Sequence, residues 1–218
     1  MAPMTVSCTQ RSDRIQTAGG NEAGFSLAEF LTASLVLLLI SAAAFGILAE
    51  TQRTASYQTE VQAVLDNARI AMDTVARYIR QAGNDPHNAG VAGITVTSGT
   101  EVRLRSDLTG SAGPSNPDKG DPDGDTLDAG EDVTIRYNAA ARSLELVPNG
   151  GSAQTIANDI SAFALQYYDA NSIATTVGSN VRKINVSISG ASTIANPQTR
   201  QTFGVTLTSD IQIATRQY

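Results

Sequence analysis

Two stretches of this chain hold residues whose types and spacing could do chemistry. The first is Gly24-Phe25-Ser26-Leu27-Ala28-Glu29-Phe30. Glycine gives a flexible backbone and an unhindered carbonyl, which suits the residue after which a peptidase cuts. A cut after Gly24 would create a new amine on Phe25, and Glu29 lies four residues further on, about one helical turn away. Glu29 stands at the mouth of a long apolar run. A charge in hydrocarbon costs ~2.5–3.5 kcal/mol even on the most lenient scale. A helix N-terminus offsets only up to ~1 kcal/mol of that. An amine on a neighbouring subunit would offset more.

The second stretch is acidic. Asp121, Asp123, Asp125, Asp128, Glu131 and Asp132 fall within 12 residues. Calcium takes about six to eight oxygen ligands, and alternating aspartates on a tight loop can supply them. Counted from Asp121, positions 1, 3, 5 and 12 of an EF-hand loop are Asp121, Asp123, Asp125 and Asp132, but position 6, where glycine is needed, is Thr126. Placing Gly124 at the sixth position instead puts Lys119 first, where a cation is wrong. The EF-hand spacing therefore fails. A calcium loop of another kind and a solvated acidic turn both fit the composition. Without a cation, six close carboxylates repel one another.

Other chemistry finds little support. One cysteine, Cys8, and one histidine, His87, form no His/Cys metal cluster and no intrachain disulfide. A Cys8–His87 catalytic pair would have to form across the apolar run. His87 follows Pro86 in a loop and reads as a surface residue. No nucleophile–base pair or phosphate-binding loop is present, so the chain does not read as an enzyme. A net charge of −6 over 218 residues argues against a nucleic-acid surface.

Positioning falls to the elements around these stretches. Residues 1–24 carry no periodic pattern and read as a leader. From Phe30 to Ala49 there are 20 residues without a charge. As a helix this run covers ~30 Å, the hydrocarbon thickness of a bilayer. Residues 50–83 follow, with Tyr57, Val61, Val64, Leu65, Ala68, Met72, Val75 and Ile79 at spacings of three and four, which predicts an amphipathic helix. Gly83 and Pro86 supply its stop. The two segments predict one near-continuous helix of about 55–60 residues, with Gly46 as a soft point.

After Pro86 the period changes to two. Strands are expected at 93–97, 101–105, 132–137, 143–147, 163–169, 181–189 and 203–213, with a hairpin turn between Tyr137 and Ser143. Tyr167 and Tyr168 should point to opposite sheet faces, the inner ring in the core. The expected fold is α+β: a long N-terminal helix, transmembrane in its first half and amphipathic in its second, whose apolar face covers a mostly antiparallel β-sheet.

GFSLAEF followed by a long apolar helix resembles the prepilin signature of type IV pilins and type II secretion pseudopilins. The resemblance implies a pilin-like fold, a prepilin peptidase that cuts after Gly24, and methylation of the new terminus on Phe25. It implies that Glu29 meets the terminal amine of an adjacent subunit during filament assembly. TVARYIRQAGNDP (74–86), RLRSDLTG (103–110), DPDGDTLDAGEDVTIRY (121–137), VRKINVSIS and VTLTSDIQI are similar to the PilW/PulJ-like branch of minor pilins. That branch implies a role in assembly initiation or at the filament tip, with other major and minor pilins, the peptidase and the inner membrane as partners.

The implied boundaries are a cleaved leader (1–24), a transmembrane and assembly helix (25–49), an amphipathic helix (50–83) and a β-rich head (84–218). Arg11 and Arg14 would hold the leader in the cytoplasm, with the head outside. The precursor would be a single-pass inner-membrane protein, later part of a periplasmic or extracellular filament. The alternative is a membrane-anchored module that binds calcium or a surface and enters no filament. No cofactor other than calcium is suggested.

Overall fold

The computed structural model describes residues 24, 26–110 and 120–213. Residues 1–23 of the expected leader (1–24), and Phe25, lie outside the described residues. Helix α1 runs from Leu27 to Gln81, 55 residues without a break. Gly46 sits inside it and interrupts nothing. The chain divides into two units, one ending at Leu48 and the other beginning at Ala49.

In the first unit the helix buries nothing. Leu27, Phe30, Leu35, Leu38, Phe45 and Ile47 are each more than half exposed. Core helices hide one face and show a polar one. This segment does neither. It is long and apolar enough to cross a membrane.

The second unit is an α+β domain. Its helical part, the C-terminal end of α1, buries Val64, Ala68, Ala71, Val75, Ala76 and Ile79. Four of these were expected from the periodicity; Ala71 and Ala76 fill the same stripe. Five strands form an antiparallel meander in sequence order: β1 (Ile94–Val96), β2 (Glu101–Arg105), β3 (Asp132–Asn138), β4 (Ser143–Pro148) and β5 (Gln154–Ala157). Three more form a second sheet in the order β6 (Ile160–Tyr168), β7 (Lys183–Ala195) and β8 (Thr202–Gln212). All described pairings are antiparallel.

One sheet was expected and two are present. The break falls at Asn158-Asp159, where Asp159 takes φ 59° and turns the chain so that β6 pairs with β7 rather than with β5. β5 is the strand that periodicity missed. Gln154-Thr155-Ile156-Ala157 is short and half polar, and its place is set by β4, across a register shift at Leu144/Glu145. The hairpin between Tyr137 and Ser143 forms as expected.

The two sheets share no ladder, but they share a core. Val102, Leu104, Val133, Ile135 and Leu144 of the first join Phe163, Leu165, Ile184, Val186 and Ile188 of the second around the helix face. The Leu165 N–H donates to the Gly99 carbonyl at 2.7 Å, and the buried Tyr167 hydroxyl donates to Ser98 O at 3.1 Å. Tyr168 points the other way, with Lys183 4.9 Å from its ring centroid. Helix and second sheet meet closely at Gly190, where a Cβ would lie 2.8 Å from Val64 Cγ1. Only glycine leaves room for a β-branched neighbour at that distance.

A polar clamp holds the far end of β7. Glu60 Oε1 accepts hydrogen bonds from the Thr193 N–H, from the Thr193 hydroxyl at 2.8 Å and from the Ile194 N–H at 2.9 Å. The ladder to β8 slips between Ala191 and Ala195, so these amides need another acceptor. Desolvation pushes the Glu60 carboxyl up, but the Ile194 and Thr193 donors outweigh it and hold the carboxyl below the usual glutamate value of 4.5. The Val91 and Ala89 N–H groups lower Asp85 in the same way. A lowered folded pKa gives stability that is complete above the unfolded value and is lost as pH falls through the folded one. The head should therefore keep its melting temperature down to about pH 4.5 and lose stability below it. Glu60→Gln should flatten this acid limb. An unchanged limb in that variant, measured by thermal denaturation across pH, would remove Glu60 as a contributor.

Candidate functional site

Gly24 is exposed, and a Cβ built on it meets nothing within 4 Å. The bond after it is sterically open on its Gly24 side. Helix α1 begins three residues later, and Ser26 builds its cap. The Glu29 N–H donates to Ser26 Oγ at 3.2 Å. Glu29 Oε2 in turn accepts the Ser26 N–H at 3.1 Å and the Ser26 hydroxyl at 3.2 Å. This reciprocal pair is a capping box, which satisfies backbone donors that the first turn of a helix leaves orphaned. The Phe30 N–H donates to Ser26 O at 3.1 Å and closes that turn.

Ser26 is the residue that sequence reading passed over. Its signal was present, since Ser-x-x-Glu directly before an apolar run marks a helix start. Glu29 thus has a local function as well as the intermolecular one expected from its position. Its carboxylate is held on Ser26, the residue that follows Phe25 in the sequence.

The acidic segment is organised quite differently from a metal cage. Asp107, fully buried in the loop after β2, accepts the Asp123 N–H at 3.2 Å and the Gly124 N–H at 3.0 Å. His87 Nε2 lies 2.8 Å from Pro122 O. Glu131, 1% exposed, accepts the Leu108 and Thr109 N–H groups at 2.7 Å each, and its other oxygen takes the Asp128 N–H at 3.4 Å. Asp123 and Asp125 cap turns of their own loop through the Asp125 and Leu127 N–H groups. Asp132 starts β3 and faces Arg103 across β2 in a two-point ion pair. The hydrogen bond to Asp132 and the negative charge of that carboxylate hold Arg103 above the usual arginine value, against the lowering effect of desolvation. Asp121 is exposed.

Four of the six carboxylates, those of Asp123, Asp125, Glu131 and Asp132, therefore take separate partners. Among the described residues, no three His, Cys, Asp or Glu side chains converge as metal ligands would. Sequence counting could not separate the two arrangements. Asp107, an acceptor that orders the loop, lies outside it, and the donors are backbone amides with no side-chain signature.

Glu131→Gln keeps an acceptor for Leu108 and Thr109 but turns an amide NH₂ toward the Asp128 N–H. Leaving a buried donor unmatched costs ~1–3 kcal/mol. The variant should melt lower by several degrees, read by circular dichroism of the full chain in detergent. Millimolar calcium should leave the parent's melting temperature unchanged; a clear rise would restore a cation to this loop.

Compared with family models, with curated proteins and with solved structures, the chain matches none of them.

Proposed function

We propose that this chain is a minor pilin or pseudopilin: a membrane-inserted prepilin, cut after Gly24, methylated on Phe25 and built into a type IV pilus or related filament. Within that class the reading is PilW/PulJ-like, with a role in starting assembly or at the tip. The observation that carries it is an order of parts along one helix. An open Gly24 is followed by a capped start holding Glu29, then by an apolar segment with no buried face, then by a face that covers antiparallel sheets. A simple anchor needs the apolar segment alone. It does not need a carboxylate at the segment's mouth.

The mechanism follows from the cap. In the precursor, Glu29 is satisfied by Ser26 and can sit at the edge of the membrane at low cost. Processing frees the Phe25 amine. Extraction into the filament moves both groups into apolar surroundings, where the carboxylate of one subunit and the amine of the next attract strongly. Each then favours the neighbour over isolation, because one unpaired buried charge is costlier than a matched pair. The partners are other pilins through the helix, and a prepilin peptidase at Gly24.

Two substitutions separate the cap from the charge. Glu29→Gln keeps the capping box, which accepts Gln as well as Glu, but removes the charge. Ser26→Ala weakens the cap by ~1 kcal/mol and keeps the charge. Processing should continue in both. Filament assembly, or secretion through a pseudopilus, should fail in Glu29→Gln and persist in Ser26→Ala. The reverse pattern would make Glu29 a capping residue and nothing more. Gly24→Val should accumulate uncut precursor on a gel. A mature peptide that does not begin at methylated Phe25 would favour a membrane-anchored binding module instead.

A further inference from the structure

The hairpin between β7 and β8 ends beside the first exposed turns of the head's helix. A cleft of about 650 Å³ lies between them. Its walls include Ala49, Arg53 and Ser56 on the helix and Ile194, Pro197 and Arg200 on the hairpin. Ile194 is 46% exposed, and the Arg53 side chain is 74% exposed. Glu50 lies 3.9 Å from Arg53, an exposed pair of small energetic weight. Glu60 fixes the backbone of Thr193 and Ile194 and so holds the hairpin against the helix.

The position of this cleft along the chain gives it meaning. Ala49 is the last residue of the apolar run, and the helix continues through it. At about 1.5 Å per residue, Arg53 stands ~6 Å past that point and Ser56 ~10 Å. The headgroup layer of a bilayer is ~5–8 Å deep on each side of the hydrocarbon. Residues 49–56 are therefore at headgroup depth whenever the apolar run spans the membrane, and the hairpin lies against them. Two arginines, Arg53 and Arg200, line the cleft with a single acid, Glu50, on a chain whose net charge is −6. An exposed isoleucine beside them suits the boundary between headgroups and acyl chains.

We propose that the β7–β8 hairpin tip rests on the membrane surface before extraction, with Arg53 and Arg200 receiving the phosphates of anionic lipids and Ile194 dipping toward the acyl chains. This rests on the membrane-spanning reading of the helix. The contact fixes the head's orientation on the bilayer at the stage when partner subunits must find it. It is lost when the subunit leaves the membrane, so the same cleft is then uncovered.

The chain has no tryptophan, so one introduced indole is a unique reporter. Full-length Ile194→Trp is placed in vesicles of phosphatidylcholine and phosphatidylglycerol that carry a headgroup nitroxide. Its emission should be quenched. Ile173→Trp should not be, since residue 173 lies in the β6–β7 connection, at the end of the sheet remote from the hairpin. Leu37→Trp, with nitroxides on the acyl chains, reports insertion of the helix independently. Matching melting curves establish that each variant is folded.

Arg53→Gln and Arg200→Gln in the Ile194→Trp background, or omission of phosphatidylglycerol, should lower the quenching. Each arginine should change the ratio of seated to lifted tips by roughly fivefold. Quenching at 194 no greater than at 173, with Leu37→Trp quenched, overturns the proposal while the anchor stands. No quenching of Leu37→Trp removes the anchor, and the proposal with it. Quenching at 194 that survives loss of both arginines and of the anionic lipid overturns the headgroup assignment. A signal at 194 that appears only as the protein-to-lipid ratio rises assigns the cleft to a second copy of the chain, and overturns it equally.

Discussion

The head depends on one helix face. Val64, Ala68, Ala71, Val75 and Ile79 form a stripe with essentially no exposure, and both sheets close on it. Neither sheet could stand without it, because an antiparallel sheet with one apolar face needs a cover. Fully burying one valine or isoleucine side chain contributes ~1.5–3 kcal/mol. The alanines in the stripe add less area but allow close approach, and Gly190 extends that closeness to the strand beneath Val64. The helix is thus shared property of two sheets that have no common ladder. The apolar N-terminal half of the helix, in the first unit, buries nothing.

This division explains what was legible in the sequence. Period-three-and-four apolar spacing marked the stripe, and period-two spacing marked β2, β3, β4 and most of β6 to β8. Both signals come from residues that face a core, so the residues themselves carry them. β5 was not legible because its position follows from the free edge of β4 rather than from its own alternation. The split into two sheets was equally hidden. It turns on Asp159 in a left-handed conformation, which aspartate adopts more readily than most residues but does not announce. Glu60 was missed for a third reason: its partners lie 133 and 134 residues away.

At the acidic stretch, composition leaves two kinds of chemistry open. A count of carboxylates suggests a cation because like charges must be neutralised. Backbone N–H groups do the same work at lower charge, and a loop rich in Gly, Asp and turns exposes many of them. Glu131 and Asp107 are buried carboxylates that accept five such N–H groups between them. They sit under the loop as its foundation, and Arg103 balances Asp132 separately. The sequence count was right about the number of acids, and silent about which acids face amides.

At the other end of the chain, the cap that Glu29 makes and the assembly role proposed for it differ in strength and in reach. The capping box is local and is worth ~1 kcal/mol. It is enough to hold a carboxylate in place at a wet helix terminus, and too little to carry that charge into hydrocarbon, where the penalty is ~2.5–3.5 kcal/mol or more. Within the proposed filament, the carboxylate therefore needs an amine at the moment it is dehydrated. Before processing there is none on Phe25. After processing, the Phe25 amine of the same subunit is adjacent to Ser26, and the amine of a neighbour becomes available only if the two helices stagger. A cap that is stable in one subunit but weaker than a desolvated ion pair lets Glu29 wait without stabilising a wrong end state. A glutamate with no cap would sit at the membrane edge at higher cost, and a glutamate in a stronger local pair would have no reason to exchange it.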